Sequence, residues 1–157
     1  MKTCPILLVD DNMDDVLLAQ LAFRMNNGDN VVVHCVHDGE EAMAYLTGKN
    51  EYSDRQQFPM PQYVLLDLNL PKASGFEVLA WLRQEPGLKR IPVILLSGTN
   101  EPANVNAAYE LGVTNYLKKP NDFKDLLRMA HKIHDWFLTG TLPEINIKPQ
   151  THRPSNS

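Results

Sequence analysis

The sequence holds only two cysteines, Cys4 and Cys35, in 157 residues. That density excludes a disulfide-stapled scaffold, so the fold must rest on its hydrophobic core. Nor do the two thiols suit a bridge, because Cys4 precedes the first expected strand and Cys35 lies late in the second. If those strands run side by side, their offset is on the order of 10 Å or more at ~3.3 Å per residue, beyond disulfide reach. Buried free thiols are expected. Also absent are any run of like charge, any basic amphipathic helix and any apolar stretch of bilayer-spanning length. A formal net charge of -4 argues against nucleic acid or an anionic membrane as partner. The opening residues lead at once into a short apolar run and then acids, too little for a signal peptide, so a cytoplasmic protein is expected. What remains is an ordinary globular composition, 43% hydrophobic and 22% charged, of a length that suits one core.

The apolar residues fall into five short runs, at 5–9, 31–36, from Tyr63 to a loop closed by Pro71 and Gly75, at 91–96 and at 115–118. Such runs are too short for helices and read as strands buried on both faces of a parallel sheet. Helical patterns alternate with them. The first carries Val16, Leu17, Ala19, Leu21, Ala22 and Phe23 and stops at Asn26-Asn27-Gly28; others are predicted over 41–46, 74–83 and 102–111. The last, over 122–138, turns Phe123, Leu126, Leu127, Ala130, Ile133 and Phe137 inward. Residues 49–62 are polar, carry Pro59 and Pro61, and read as an unusually long surface loop. The division expected is a domain over 1–138 and a C-terminal extension over 139–157, disordered over at least its last ten residues. Five strand–helix units in alternation predict an α/β fold, a parallel sheet covered by helices on both faces.

In such a sheet every strand's carboxyl end lies on one edge, where ligands bind. Strands one, three, four and five deliver Asp10-Asp11, Asp67, Ser97 and Lys119 there. Taken singly, each has a plainer reading: Asp10-Asp11-Asn12 as a helix cap, Asp67 as a turn residue, Ser97-Gly98-Thr99 as a loop, and Lys119-Pro120 as a turn. Their joint placement is what argues for chemistry. Three crowded carboxylates repel, so one takes up a proton, unless a cation relieves the conflict. Hard oxygen ligands without Cys or His favour Mg2+. The set suits phosphoryl transfer: metal and Lys119 neutralise charge, Ser97 offers a hydroxyl, and one carboxylate acts as nucleophile to form an aspartyl-phosphate. Gly98 leaves room for phosphate oxygens. The histidine pairs His131/His134 and His34/His37 lack a carboxylate or Cys partner and read as solvated.

Over roughly residues 5–138 these motifs resemble the receiver domain of two-component response regulators. The resemblance implies a three-layer, flavodoxin-like (βα)5 doubly wound sheet of strand order 2-1-3-4-5. It makes Asp67 the phosphoacceptor, Ser97 the switch hydroxyl, Tyr116 the switch aromatic and Lys119 the lysine before a cis-Pro120. It implies Mg2+ held by Asp11, Asp67 and the Asn69 backbone carbonyl, with Asp10 acting through water. Asn69, Gly98 and Thr99 would flank the phosphoryl group and tune its lifetime. The wording Leu65-Leu66-Asp67-Leu68-Asn69-Leu70-Pro71-Lys72, the long loop before it and the ending Trp136-Phe137-Leu138-Thr139-Gly140-Thr141-Leu142-Pro143 are similar to the small single-domain regulators paired with cyanobacterial and other bacterial phytochromes.

That resemblance implies a phosphoprotein that receives its phosphoryl group from a sensor histidine kinase, a phytochrome, and is no enzyme beyond self-catalysed phosphotransfer and autodephosphorylation. Phosphate would draw Ser97 inward, and Tyr116 would rotate into the space left behind. Only 19 residues follow Leu138, so output is expected through altered contacts with a downstream protein. Trp136, Met129, Leu142, Ile145 and Ile147 exceed the inward stripe, which suits either a tail folded onto its own domain or a homodimer surface. Two other classes compete. An Mg2+-dependent phosphohydrolase with an Asp nucleophile would want a second Asp two residues on, where Asn69 stands. A phosphate-independent adaptor would tolerate a decayed site, whereas here the set is intact.

Overall fold

Each apolar run becomes a strand and each periodic segment a helix in the computed structural model, which describes residues 3–27 and 30–139. In chain order these are β1 (Cys4–Val9), α1 (Met13–Asn27), β2 (Val31–Val36), α2 (Gly39–Thr47), β3 (Tyr63–Asp67), α3 (Gly75–Gln84), β4 (Val93–Ser97), α4 (Pro102–Glu110), β5 (Asn115–Lys118) and α5 (Phe123–Thr139). All strand pairs are parallel, in the order β2-β1-β3-β4-β5. The doubly wound sheet of order 2-1-3-4-5 is therefore present.

The period-two alternation of strand side chains divides the core into two layers. Leu7, Val9, Val64, Leu66, Val93, Leu95 and Tyr116 face α2, α3 and α4. Ile6, Leu8, Leu65, Ile94, Leu96 and Leu117 face α1 and α5. The inner strands β1, β3 and β4, flanked on both sides this way, are buried almost throughout, which is why they read as unbroken apolar runs. Local chemistry sets the helix starts. Asp38 caps α2 by accepting from the Glu41 amide at 2.7 Å, Ser74 caps α3 through Glu77, and Pro102 opens α4.

Several expectations change. β1 begins at Cys4 itself; Cys4 is opposite Val31 and Cys35 opposite Leu8, so the thiols stay four residues out of register, free, and half-buried rather than buried. Leu17 and Leu21 are exposed, because α1 buries Val16, Ala19, Ala22 and Phe23 instead. Trp136 and Met129, assigned above to an outer surface, are packed in the α1/α5 layer at 9% and 5% exposure. His134 is buried too, against the Tyr63 hydroxyl, so only His131 of that pair is solvated. His34 and His37 are half-buried. Segment 49–62 is more than a loop: Asn50–Ser53 form a 3-10 turn, and Arg55 donates to the carbonyls of Tyr45, Leu46 and Phe58 at 2.8, 3.0 and 3.2 Å. The Tyr45, Tyr52 and Phe58 rings pack together there. Among the described residues no peptide is cis, so the Lys119–Pro120 bond is trans; the cis form was implied by resemblance and nothing in the residues demanded it. No helix among them is long and apolar enough to cross a membrane. Gly28 and the extension from Gly140 on, with Leu142, Ile145 and Ile147, lie outside the described residues.

Candidate functional site

Parallel registry carries the ends of β1, β3, β4 and β5 to one edge: Asp67 pairs with Leu96 and Ser97 with Lys118. The residue just past β5, Lys119, is locked there by its amide, which donates to the Ser97 carbonyl at 2.7 Å. Asp67 is held from the other side by a close approach. Gly75 opens α3 so near the Asp67 carbonyl that a Cβ there would come within 2.5 Å of that oxygen. The Gly75 amide donates to the Leu68 carbonyl, which folds the β3–α3 loop back under the carboxylate.

Asp10, Asp11 and Asp67 bring one carboxylate oxygen each within 4.8 Å of one another, Asp10 and Asp67 buried and Asp11 exposed. Lys119 closes the cluster. Its Nζ donates to Asp67 Oδ2 at 3.0 Å, Asp15 Oδ2 at 3.2 Å and Asp10 Oδ2 at 3.3 Å. Burial alone would lower the pKa of this ammonium, but the hydrogen bond and charge of Asp67, then Asp10 and Asp15, outweigh it and hold the pKa above the ordinary lysine value. Burial raises the Asp10 carboxyl above the usual carboxylate range, with Asp67 and Asp15 adding to the rise; the Asn12 amide and Lys119 oppose it. The conflict expected of crowded acids is thus present. Three hard carboxylate oxygens, without thiol or imidazole, form a donor set that fits a small divalent cation.

Around this centre the Asn69 amide donates to Asp67 Oδ1 at 3.2 Å. Ser97, wholly buried, accepts the Thr99 amide on its Oγ at 3.2 Å. A Cβ built on Gly98 would meet nothing within 4 Å, so the space over the loop is open. Tyr116 lies inside: its ring is fully buried and its hydroxyl donates to the Thr99 carbonyl at 2.7 Å. One peptide residue, Thr99, is therefore bonded through its amide to Ser97 and through its carbonyl to Tyr116.

All the residues singled out from the sequence at strand ends converge here. Asp15 was missed. The signal was Asn12-x-x-Asp15: Asn12, not Asp10 or Asp11, is the cap of α1, accepting the Asp15 amide on Oδ1 at 3.1 Å. That cap sets the first turn of α1 over the site and turns Asp15 toward Lys119.

The family model for the response regulator receiver domain matches residues 6–131. The response regulator Rcp1 of Synechocystis sp. (strain ATCC 27184 / PCC 6803 / Kazusa) is 43% identical over 139 residues, 88% of this chain and 92% of that protein. Among solved structures, the phosphorylated cyanobacterial phytochrome response regulator RcpA superposes with a TM-score of 0.81 at 37% identity, covering 90% of this chain and 99% of its own. The Mn(2+)-bound form of Rcp1 gives 0.76 at 42% identity, covering 89% and 99%.

Proposed function

The chain belongs to the response regulator receiver domain family, and from that premise we propose that Asp67 accepts a phosphoryl group from a sensor histidine kinase of the phytochrome type. The observation that carries this reading is the meeting of Asp67, two further acids and Lys119 at one sheet edge, the ammonium 3.0 Å from the Asp67 carboxylate. As a receiver the protein works in a two-component phosphorelay. An Asp67 oxygen attacks the phosphorus of the donor's phosphohistidine. A P–O bond forms, the P–N bond breaks, and its electron pair leaves with the imidazole nitrogen. Lys119 neutralises charge gathering on the phosphoryl oxygens, and the Asn69 amide steadies the carboxylate. Mg2+, held by Asp11, Asp67, the Asn69 carbonyl and, through water, Asp10, would supply the remaining positive charge.

The phosphoryl group stands in the open space above Gly98, flanked by Asn69 and Thr99. The Ser97 hydroxyl turns toward it and releases the Thr99 amide. Thr99 also holds Tyr116, so this exchange changes the stability of the inward ring and with it the α4–β5–α5 face. Phosphorylation thus shifts the population between two packings of Tyr116 through a local charge.

The donor protein docks on α1. Its outer face exposes Met13, Leu17, Leu21 and Met25, each 44–60% exposed, one above the next at spacing four beside Asp15 and Lys119. Residues 1–138 serve as the receiver and 139–157 as an extension, in a cytoplasmic protein that signals by changed contacts with a downstream protein. Homodimerisation rests on the likeness to phytochrome regulators and the exposed Leu138; Trp136 and Met129 no longer support it.

Beryllofluoride with Mg2+, which imitates an acyl phosphate, tests the reading. Wild type binds it with a change in the Tyr116 environment or in oligomeric state, and Asp67→Asn abolishes the response. A response that persists in Asp67→Asn would instead mark a phosphate-independent adaptor, and turnover of a generic phosphomonoester would mark a hydrolase. Phosphotransfer from a phytochrome kinase, compared with other histidine kinases, tests the donor.

A further inference from the structure

We propose that Asp15 is a positioning residue for phosphoryl transfer, fixing the Lys119 ammonium beside Asp67 from outside the metal-binding set. This rests on the phosphoacceptor reading above and adds a residue to it. A lysine ammonium has three N–H donors and no acceptor. Here all three point at carboxylates, those of Asp67, Asp15 and Asp10, within 3.0–3.3 Å. Two of these acceptors belong to the cluster that can hold a cation, Asp10-Asp11-Asp67, and Asp15 does not. Once a divalent ion neutralises that cluster, two of the three attractions on Lys119 weaken together. Asp15 is the partner whose charge is left.

The arrangement is suited to that task. Asp15 belongs to the first turn of α1, where its own amide is tied to the Asn12 cap at 3.1 Å, so its backbone does not follow the side chain. The Lys119 side chain is 25% exposed and reaches the site on a flexible stem. Without a fixed partner its head group is free to swing toward water, which surrounds the α1 side of the site. Competition runs the other way, since Asp15 could draw the ammonium off the phosphoryl oxygens. Exposure decides between these effects. The Asp15 side chain is 43% exposed against 8% for Asp67, so its pull is screened and the inner site keeps the stronger hold. Asp15 restricts where the ammonium goes without outbidding the group it serves.

The test is an NMR titration of the full chain, first with Mg2+ alone and then with beryllofluoride, for wild type, Asp15→Asn, Asp15→Glu, Lys119→Gln and the double variant Asp15→Asn/Lys119→Gln. Asp15→Asn should keep Mg2+ affinity close to wild type and weaken beryllofluoride by about three- to fivefold, the range of a half-exposed ion pair. Asp15→Glu should recover part of the loss by restoring the charge. In the Lys119→Gln background Asp15→Asn should change nothing further, because the two act as one unit. An equal loss in that background, an unchanged or tighter affinity in Asp15→Asn, or a loss of Mg2+ binding matching that of beryllofluoride would each overturn the proposal. Failure of the wild type itself to bind beryllofluoride would instead strike the phosphoacceptor reading beneath it.

Discussion

Lys119 and Thr99 do more at the level of single residues than their types suggest. Among the described residues Lys119 is the one cation in reach of Asp10, Asp15 and Asp67, and its contacts link the end of β1, α1 and β3. Thr99 contributes mainly its backbone, amide to Ser97 and carbonyl to Tyr116. A residue substitution separates the two halves of that link. Tyr116→Phe keeps the buried ring and removes only the hydroxyl donor, so folding stability should fall by about 0.5–1.5 kcal/mol, the net worth of one hydrogen bond. Urea denaturation measures this, and amide exchange at 98–100 should rise in parallel. An unchanged denaturation midpoint would mean that the Thr99 contact does not hold the ring. The strand-end acids and Lys119 were legible as residues because a parallel sheet leaves them nowhere else to go. Asp15 was not, since an Asp in the first turn of a helix has a sufficient reason in the helix dipole alone.

Among the elements, α1 departs most from its sequence pattern. Leu17 and Leu21 belong to the apolar pattern read from the sequence, yet only its smaller members Val16, Ala19 and Ala22, with Phe23, face the sheet and α5. Small residues let α1 lie close to α5, a contact pinned by Asn26, whose side chain donates to the Leu127 carbonyl at 2.6 Å. The larger apolar residues are left on the outside. If that face receives the phosphodonor protein, Leu17→Glu with Leu21→Glu should lower the rate of transfer from the kinase by about tenfold or more relative to transfer from acetyl phosphate. Both side chains are exposed, so the fold should tolerate the change. Equal effects on both donors would remove α1 from the docking surface. Segment 49–62 teaches a related lesson: its polar side chains and prolines suggested a free loop, but one guanidinium satisfying three carbonyls, with Tyr52 and Phe58 against Tyr45, ties it to the end of α2.

Over the whole molecule, two helical layers enclose the sheet, and each buries a histidine or places one at its rim. His134, 6% exposed, and half-buried His34 both have pKa values lowered by burial. The unfolded chain restores them to about 6.5. The fold therefore keeps them neutral without penalty above that pH. As pH falls through about 6.5, the unfolded chain takes up protons that the fold refuses, and stability declines until the lower folded-state values are reached. His134→Gln retains a polar partner able to donate to or accept from the Tyr63 hydroxyl and cannot titrate. Its urea midpoint should fall less than that of wild type between about pH 7.5 and about pH 5.5. Parallel slopes would show that His134 carries none of the effect. The comparison is needed because the raised Asp10 carboxyl acts with opposite sign, stabilising the fold as it protonates.

The sequence by itself determined the alternation of elements, the parallel sheet and the identity of the residues at its active edge. Strands buried on both faces must be continuously apolar, and their ends must be where polarity returns, so both facts are written in one dimension. Which face each helix buries was decided only in three dimensions, because α1 and α5 each offer more apolar surface than one layer can cover. The same holds for Trp136, Met129 and His134, turned inward by the packing of α5 on α1, for Arg55, and for the buried seat of Tyr116. Asp15 joins them: its role depends on how a helix cap aims one turn of α1 at a lysine more than a hundred residues along the chain, a relation that local spacing does not record.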